Sequence, residues 1–517
     1  MFALAFALVL GLTQCKKENT TTSNDEGAKV PVTLNVSGGN DSRVAVEGST
    51  GVVTFEDGDV LYVASNGIYV GTMTYNGTVF SGEINEPTEG QKLQFYFLGN
   101  KTPEFNADNT SCSVVISDQT EYLPVISYAP SRENYQVGKT DYNATLLNKC
   151  ALVKFDVTSV TPNLATCLTG RNNKVTVGFA NNTFAYSKEG KGIITLPAGE
   201  GEKWVILLPQ NEVVDTEANS SDGIWTGTCS CVPAIAENDY LTEGITVEIT
   251  HPIGAINSLF TINANGDQVY FSQGNLQYIG SAATPYWKFA ENQNGYLGSN
   301  GQGGTSQTVD RDLFGWGTSG YNHGANCYQP WSTSTSYSDY YAYGAYTNNL
   351  YDGNGQADWG YNAISNGGNT ENSGWRTLTQ SEWDYVFNTR NTTSGIRWAQ
   401  GTVGGVNGTI LLPDNWTADI YALNNTNGVN YNSNTITAGD WTNTLEANGA
   451  IFLPGAGRRQ GTSTDAGMGS YGGYWSASYF NYKAANYVYF DDGRYVSVNH
   501  DRTRDYGFSV RLVHNMQ

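Results

Sequence analysis

Apolar and polar positions alternate along most of the chain from about residue 30 to residue 249. Segments 32–36, 60–63 and 175–179 each repeat with a period of two, which is the period of a half-buried β-strand. Turn-forming pairs such as Asp57-Gly58 separate these runs. Short strands joined by polar turns are typical of antiparallel β-sandwiches, so this part of the chain is predicted to form them.

The pattern changes after Pro252, where the first helical signals occur. Ten of the twelve tryptophans follow this residue. Thr379 is placed to cap a helix, and Glu382 occupies the reciprocal capping-box position. A second helix is expected to run through Trp441 and Leu445 and to end near Asn448-Gly449 with a left-handed stop, before a short apolar strand. Helices among many short strands predict one α+β domain over residues 256–517.

The last forty or so residues predict antiparallel strands. Asp492-Gly493 lies between two alternating segments, which is a strong hairpin signal. Successive side chains of a strand point to opposite faces. The alternation therefore directs Val488, Phe490, Val496 and Val498 to the core, and Tyr487, Tyr489, Tyr495, Ser497 and Asn499 to the other face.

Two interpretations of this second face stay open. Tyr, Ser and Asn combine rigid amphipathic rings with adaptable hydrogen-bonding groups, which is the composition of binding paratopes. The same residues are acceptable on any half-exposed strand. The face is therefore either a binding surface or an ordinary solvent-exposed one.

The N-terminus predicts export. Residues 2–10 are almost purely apolar, a run shorter than the roughly 20 residues that span a bilayer and typical of a signal peptide. Cys15 follows this run and resembles the acylated cysteine of a lipobox. We expect a lipoprotein signal peptide over residues 1–15, a flexible tether over 16–27, and a surface protein whose only membrane contact is its lipid anchor in the outer membrane. The alternative is a buried N-terminal strand with an incidental cysteine.

The formal net charge is −21, and no run rich in Lys or Arg offsets it. A chain of this charge repels phosphate backbones, so a nucleic-acid partner is not expected. Arg458-Arg459 is a small basic island. It fits either an acidic partner or glycan, or a solvated or salt-bridged loop.

No catalytic motif stands out. The four histidines lack metal-ligand spacing, and the scattered cysteines define neither a zinc site nor a disulfide pairing. Asp352, Asn354, Gln356 and Asp358 alternate in a Gly-rich loop, which is a weak calcium pattern because the bidentate Glu that should follow is missing. A solvated loop is the alternative. No enzymatic activity is predicted, and calcium is the only cofactor candidate.

Three segments of the N-terminal half, 55–63, 150–157 and 204–209, resemble the fimbrillin family of Gram-negative surface lipoproteins. The resemblance covers roughly residues 28–250. It implies one β-sandwich over 28–140, a second over 141–250, and candidate pilin partners.

Segments 375–383, 473–478 and 507–513 are similar to the major paralogous domain family. That family belongs to the C-type-lectin-like fold shared with the formylglycine-generating enzymes, so the resemblance implies a C-type-lectin-like ligand-binding domain over 256–517. Those enzymes use paired cysteines, whereas this region contains only Cys327.

Some relatives in this fold are variable proteins of diversity-generating retroelements, in which a C-terminal segment is rewritten at the adenines of Asn codons. Residues 479–506 contain no Glu, Gln, Trp or Met, which randomised Asn codons cannot encode. Diversification of this segment is therefore a hypothesis.

The sequence thus predicts a mainly β cell-surface lipoprotein that acts as an adhesin or receptor for a protein or glycan on another cell or host surface. One alternative is a structural pilus or tip subunit, and another is a hydrolase of surface glycans. Trp475 and Phe508 are expected to support the binding face. The candidate ligand-binding residues are Tyr479, Tyr482, Tyr487, Tyr489, Tyr495, Ser497, Asn499, His500, Arg502 and Tyr506.

Overall fold

The computed structural model describes residues 28–36, 55–298, 306–321, 326–425, 430–464, 467–492 and 496–516. Cys15, Tyr495 and the predicted signal-peptide and tether segments lie outside these ranges. The described residues form two compact units. The first unit contains the described residues up to Ile116, together with Leu123–Ala151 and Lys174–Ser187. The second unit contains Ser117–Tyr122, Leu152–Asn173 and the described residues from Lys188 onward.

The chain is mainly β. The strands up to residue 150 are β1 (Lys29–Val36), β2 (Val60–Ser65), β3 (Ile68–Tyr75), β4 (Phe80–Asn85), β5 (Lys92–Leu98), β6 (Glu104–Phe105), β7 (Ser111–Val115), β8 (Ile126–Asn134), β9 (Asp141–Ala144) and β10 (Leu147–Asn148). The strands between residues 151 and 252 are β11 (Ala151–Ser159), β12 (Thr166–Leu168), β13 (Lys174–Gly178), β14 (Thr183–Ser187), β15 (Ile194–Leu196), β16 (Gly201–Leu207), β17 (Glu217–Ser220), β18 (Trp225–Cys229), β19 (Tyr240–Leu241) and β20 (Thr246–Pro252).

The C-terminal region has shorter strands. They are β21 (Phe260–Thr261), β22 (Gln268–Phe271), β23 (Leu276–Ile279), β24 (Tyr286–Phe289), β25 (Phe314–Gly315), β26 (Trp375–Thr377), β27 (Trp398–Val403), β28 (Val406–Leu411), β29 (Thr435–Ile436), β30 (Ile451–Pro454), β31 (Arg459–Gln460), β32 (Ser463–Thr464), β33 (Tyr471–Tyr479), β34 (Ala484–Asp491), β35 (Val496–Thr503), β36 (Tyr506–Phe508) and β37 (Leu512–Asn515).

Two sheets form the first unit, in the orders β10-β8-β5-β2-β3-β4-β1-β9 and β14-β13-β7-β6. Aromatic rings from the two sheets pack against each other. The ring centroid of Tyr96 in β5 lies 6.4 Å from that of Phe184 in β14, and that of Tyr62 in β2 lies 6.2 Å from that of Phe105 in β6. The Tyr96 hydroxyl donates to the Asn182 side chain at 2.6 Å, so this buried polar group has a partner.

Strand pairing differs in two ways from the predicted antiparallel sandwiches. β1 pairs with β9 in parallel, and β11 pairs in parallel with β19 and β20. β13 and β14 were assigned by their place in the sequence to the second sandwich, but β13 pairs with β7 in the first unit. A period of two marks the buried face of a strand without specifying its partner, so the alternation could not reveal these pairings. The three-domain division stays a prediction.

The remaining strands between residues 151 and 252 form one sheet, β15-β12-β17-β18-β20-β11-β16, with β19 beside β11. This sheet packs against the C-terminal region within the second unit. The Tyr270 hydroxyl donates to the Thr250 carbonyl at 2.9 Å, and the Trp225 and Tyr270 rings meet edge-on at 6.2 Å.

Both predicted helices are present in the C-terminal region. α1 (Gln380–Asp384) continues as a π-helical turn over Tyr385–Thr389, and α2 (Ala438–Asp440) continues through Trp441–Leu445 to a 3₁₀ turn over Glu446–Asn448. The capping box of Thr379 and Glu382 is confirmed, as is the left-handed Gly449 with a φ of 86°. Further 3₁₀ turns are Asn326–Tyr328, Tyr337–Tyr340, Ala342–Gly344, Trp359–Tyr361 and Tyr431–Ser433. In the ranges that the structure describes, no helix has both the length and the apolar character needed to cross a bilayer.

The C-terminal sheets are β21-β22-β37-β26, β23-β24, β25-β36-β31-β32, β29-β27-β28-β30 and β33-β34-β35. The last of these lies between two hydrophobic clusters. Tyr474, Val488 and Phe490 belong to the cluster that contains Trp383 of α1. Trp475, Ala485 and Tyr487 alternate with them and belong to the other cluster, which contains Phe508.

Buried arginines tie distant loops to this core. The Arg459 guanidinium donates to the carbonyls of Leu313 and Ser332 at 3.2 and 2.8 Å. The Arg504 guanidinium donates to the Tyr346 carbonyl at 2.6 Å. Burial lowers the pKa of Arg504 to about 10, which still leaves its side chain charged at neutral pH. The loops that precede the last sheet are thus fixed by charged side chains.

His514 of β37 is buried where the sheet of residues 151–252 meets the C-terminal region. Its ring lies edge-on to Trp225 and Trp375, at centroid distances of 5.1 and 5.5 Å. Its two nitrogens lie 2.9 Å from the carbonyl oxygens of Asn515 and Ser373. Burial lowers the pKa of His514, and the nearby Arg376 lowers it further. The two carbonyl oxygens and Asp222 act in the opposite direction, but burial is the largest effect.

This lowered pKa predicts a loss of stability in acid. The unfolded imidazole takes up a proton near pH 6.5 and the folded one only at lower pH, so the free energy of unfolding falls as the pH drops from about 7.5 to about 5.5. Urea unfolding at both pH values should show a smaller loss for His514→Gln than for the wild type. Burial also lowers the pKa of His251. Both proteins contain His251, so it contributes equally to their pH dependence. An unchanged pH dependence in the variant would contradict the assignment.

Candidate functional site

The predicted C-terminal strands form the antiparallel sheet β33-β34-β35. Val488, Phe490 and Val498 are buried on the side of α1, as the alternation predicted, and Val496 packs partly buried against the same cluster. In the register, Tyr487 pairs with His500 and Tyr489 pairs with Ser497. The step from His500 to Ser497 is one residue longer than the step from Tyr487 to Tyr489, so β35 contains a β-bulge.

Because of the bulge, Asn499 does not lie on the face where the alternation predicted it. Simple alternation placed this residue on the tyrosine face. In the structure, Gln380 of α1 donates a hydrogen bond to the Asn499 side chain, so Asn499 is directed to the helix side of the sheet. The extra residue reverses the alternation locally, because a shift of one residue moves a side chain to the opposite face.

Tyr487 also differs from the prediction, because it is only 6% exposed and cannot be displayed to a ligand. Its ring stacks on Phe508 at a centroid distance of 4.5 Å and an interplanar angle of 7°. Burial raises the pKa of Tyr487 to about 12. Trp475 and Phe508 are both buried beneath the sheet, and Tyr487 joins them in the same hydrophobic cluster.

Above these rings lies a half-buried surface of aromatic and basic side chains. The Tyr489 ring lies 5.1 Å from the His500 ring and 5.8 Å from the Tyr471 ring. Ser497 pairs with Tyr489 in the register and borders this group. We call the surface formed by Tyr471, Tyr489, Tyr506, Arg458, His500 and Arg502 the Tyr–Arg surface.

Two guanidinium groups of the Tyr–Arg surface lie over one ring. The Arg502 guanidinium is 4.3 Å and the Arg458 guanidinium 5.2 Å from the centroid of the Tyr506 ring. Arg502 also donates to the Tyr506 hydroxyl at 3.1 Å. Cation–π contacts of this kind hold the cations at the surface without neutralising their charge.

Tyr482 and Tyr479 lie apart from this surface. Tyr482 is 51% exposed in the turn between β33 and β34, and its ring meets Tyr337 edge-on at 5.9 Å. The Lys483 ammonium lies 5.2 Å from the Tyr482 ring centroid and 5.7 Å from that of Tyr337. We call Tyr337, Tyr482 and Lys483 the turn patch. Tyr479 is half-buried, and its backbone N–H donates to the Asn349 side chain at 3.1 Å.

Two members of the Tyr–Arg surface were not among the predicted site residues. Tyr471 begins β33 and is paired with Asp491, on the same face as Tyr489. The hairpin signal could have suggested it if the first strand had been extended backwards. Arg458 was recognised only as part of a basic pair. The structure separates that pair, because Arg459 is buried while Arg458 lies over the Tyr471 and Tyr506 rings.

The oxygens of the weak calcium candidates accept hydrogen bonds from other residues of the protein. The buried Asp358 carboxylate accepts hydrogen bonds from the backbone N–H and the hydroxyl of Thr377, at 2.9 and 2.8 Å. Asp352 accepts from the Asn349 N–H at 2.8 Å, and Asn354 accepts from the Tyr343 hydroxyl at 3.2 Å. Asp358 therefore has a structural role in joining this loop to β26.

No protein-family model matches the chain. No curated protein matches it either. Solved structures do match, at low similarity. A candidate cell adhesion protein from Bacteroides uniformis is 13% identical, with a TM-score of 0.26 over 37% of this chain and 80% of its own.

A second candidate cell adhesion protein, from Bacteroides ovatus, is 14% identical, with a TM-score of 0.28 over 41% of this chain and 89% of its own. The fimbrial anchor protein Mfa2 from Porphyromonas gingivalis is 11% identical, with a TM-score of 0.22 over 37% of this chain and 78% of its own. Similarities this low assign neither a family nor a function to the chain.

The supporting position of Tyr487 predicts different effects for two substitutions. Tyr487→Ala should lower the free energy of unfolding by about 3–5 kcal/mol, because it removes a buried ring stacked on Phe508. Tyr487→Phe keeps the ring and should cost less than about 1.5 kcal/mol. Urea unfolding measures both. Equal and small effects would indicate that Tyr487 is not part of the core.

Proposed function

We propose that this protein binds a ligand through the Tyr–Arg surface and acts as a cell-surface adhesin or receptor rather than as an enzyme. The observation that carries the proposal is the convergence of side chains from five separate segments on one surface. They come from the loop before β31 and from β33, β34, β35 and β36, and all are half-buried.

The chemistry of these side chains favours binding. Tyrosine rings offer large, rigid, amphipathic contacts at a low cost in conformational entropy. Here they rest on a buried layer of Tyr487, Phe508 and Trp475, which fixes their positions before a ligand arrives. A preorganised surface loses less entropy on binding than a mobile one, so more of the contact energy contributes to affinity.

Three finer features belong to this proposal. Residues 256–517 form a C-type-lectin-like domain, as the resemblance of segments 375–383, 473–478 and 507–513 implies. Cys15 anchors the protein to the outer membrane with its binding domain outside. Residues 479–506 are diversified by a retroelement, which a nearly repeated template close to the gene, differing only at adenines, would support.

Ligand binding is tested with the full-length protein on a glycan array and on a panel of surface proteins. We expect Tyr489→Ala to weaken binding about tenfold or more, because a central aromatic contact is lost. Tyr286→Ala is the matched control, since Tyr286 is 40% exposed and lies outside the surface. Circular dichroism of each variant establishes that it is folded.

Binding that survives Tyr489→Ala would move the site away from the Tyr–Arg surface. A wild-type protein that binds none of the glycans and proteins would contradict the receptor proposal and favour the pilus-subunit alternative. In that alternative, the N-terminal half would be needed for assembly.

The lipid anchor has its own test. In a Gram-negative host supplied with radiolabelled fatty acid, the wild type should be labelled and fractionate with membranes, whereas Cys15→Ser should lose the label. Cys231→Ser removes an exposed thiol and should keep it. A labelled Cys15→Ser variant would rule out acylation at this residue.

A further inference from the structure

We propose that the ligand of the Tyr–Arg surface is an acidic polysaccharide, held by a carboxylate or sulfate group that pairs with the Arg502 guanidinium. This inference rests on the proposed function, because it names the chemistry of the ligand for the same surface. It begins from the charge of the surface, which is opposite to that of the chain.

The chain has a formal net charge of −21, whereas the Tyr–Arg surface brings Arg458, Arg502 and His500 together. The Arg458 and Arg502 guanidinium groups lie 5.2 and 4.3 Å from the centroid of the Tyr506 ring. The Asp491 carboxylate at the edge of the surface accepts a hydrogen bond from the Tyr489 hydroxyl at 3.0 Å.

Arg502 has bonding capacity left for an anionic group. Within the part of the chain that the structure describes, no carboxylate forms an ion pair with Arg502. Its Nε is buried, so the terminal Nη groups, one of which donates to the Tyr506 hydroxyl, are the donors left for a ligand. By contrast, Arg376 is paired with both oxygens of Glu382 at 2.8 Å, and Arg390 is paired with Asp414 at 2.9 Å. The planar guanidinium can donate two parallel hydrogen bonds to a carboxylate or sulfate.

The other groups of the surface favour a saccharide over a peptide. Protein interfaces also use Tyr and Arg, usually around a centre that is more apolar than the rest of the surface. Here the aliphatic side chains of Val488 and Val498 lie on the opposite, buried side of the sheet. What remains is tyrosine rings, on which the C–H face of a pyranose can stack, beside His500 and Ser497, which can bond its hydroxyl groups.

The test measures binding of the full-length protein to matched polymers by biolayer interferometry. Polygalacturonate is compared with its uncharged methyl ester, and dextran sulfate with dextran. At least one acidic polymer should bind about tenfold or more tightly than its uncharged counterpart, and the pair that shows this difference identifies carboxylate or sulfate as the group. Poly-L-glutamate is the acidic peptide probe and should bind no better than the uncharged polymers.

Substitutions then assign the preference to Arg502. Arg502→Gln should weaken binding of the acidic polymer about tenfold or more and leave the uncharged polymer unaffected. Arg502→Lys keeps the charge but not the planar fork, so it should retain part of the preference. Lys288→Gln removes one positive charge outside the surface and should change neither.

Three results would overturn the inference. In the first, acidic and uncharged polymers bind equally well, and binding is weakened by Tyr489→Ala but not by Arg502→Gln. The surface would then bind a ligand without recognising its acidic group. Arg502-dependent binding of poly-L-glutamate alone would identify an acidic peptide as the ligand. In the third, the protein binds ligands of the array through Tyr489 but binds no acidic polysaccharide. This would exclude acidic polysaccharides as the ligand and leave the proposed function in place. Failure of the wild type on both the array and the polymers would remove the proposed function itself.

Discussion

Phe508 is the ring on which the C-terminal surface depends. Its ring stacks on Tyr487 at 4.5 Å and meets Trp475 edge-on at 4.8 Å. The Trp475 indole N–H donates to the Phe314 carbonyl at 2.7 Å, which ties the same group to β25. Each aromatic pair contributes about 0.5–1.5 kcal/mol beyond its buried area. Because these rings join β33, β34, β36 and β25, they hold the half-buried tyrosines above them at fixed positions.

The β-bulge in β35 has a second effect on the same surface. It keeps His500 opposite Tyr487 and Ser497 opposite Tyr489, while Asn499 turns towards α1. A regular strand would have continued the alternation from Ser497 to Asn499 and moved His500 to the other face. The bulge therefore places an imidazole between the tyrosine rings, beside Arg502. Bulges near functional sites commonly redirect a side chain in this way.

Local structure could be predicted from the sequence better than the pairing of strands. The capping box at Thr379, the left-handed Gly449 and the buried face of β34 follow from short-range rules, and the structure confirms them. The pairing of β13 with β7 depends on contacts between distant residues, which alternation does not encode. In the candidate site, Tyr489, His500, Arg502 and Tyr506 were named from the pattern. Burial of Tyr487 was missed, because period two gives a face but not what covers that face.

The most direct test of the Tyr–Arg surface is hydroxyl-radical footprinting of the full-length protein with and without saturating polygalacturonate. Oxidation of each tyrosine reports how exposed its ring is in the two states. We expect bound polymer to protect Tyr489 and Tyr506, while Tyr286, and Tyr482 of the turn patch, are oxidised as before. Unchanged oxidation of Tyr489 and Tyr506, with protection at Tyr482 instead, would contradict this expectation and place binding at the turn patch.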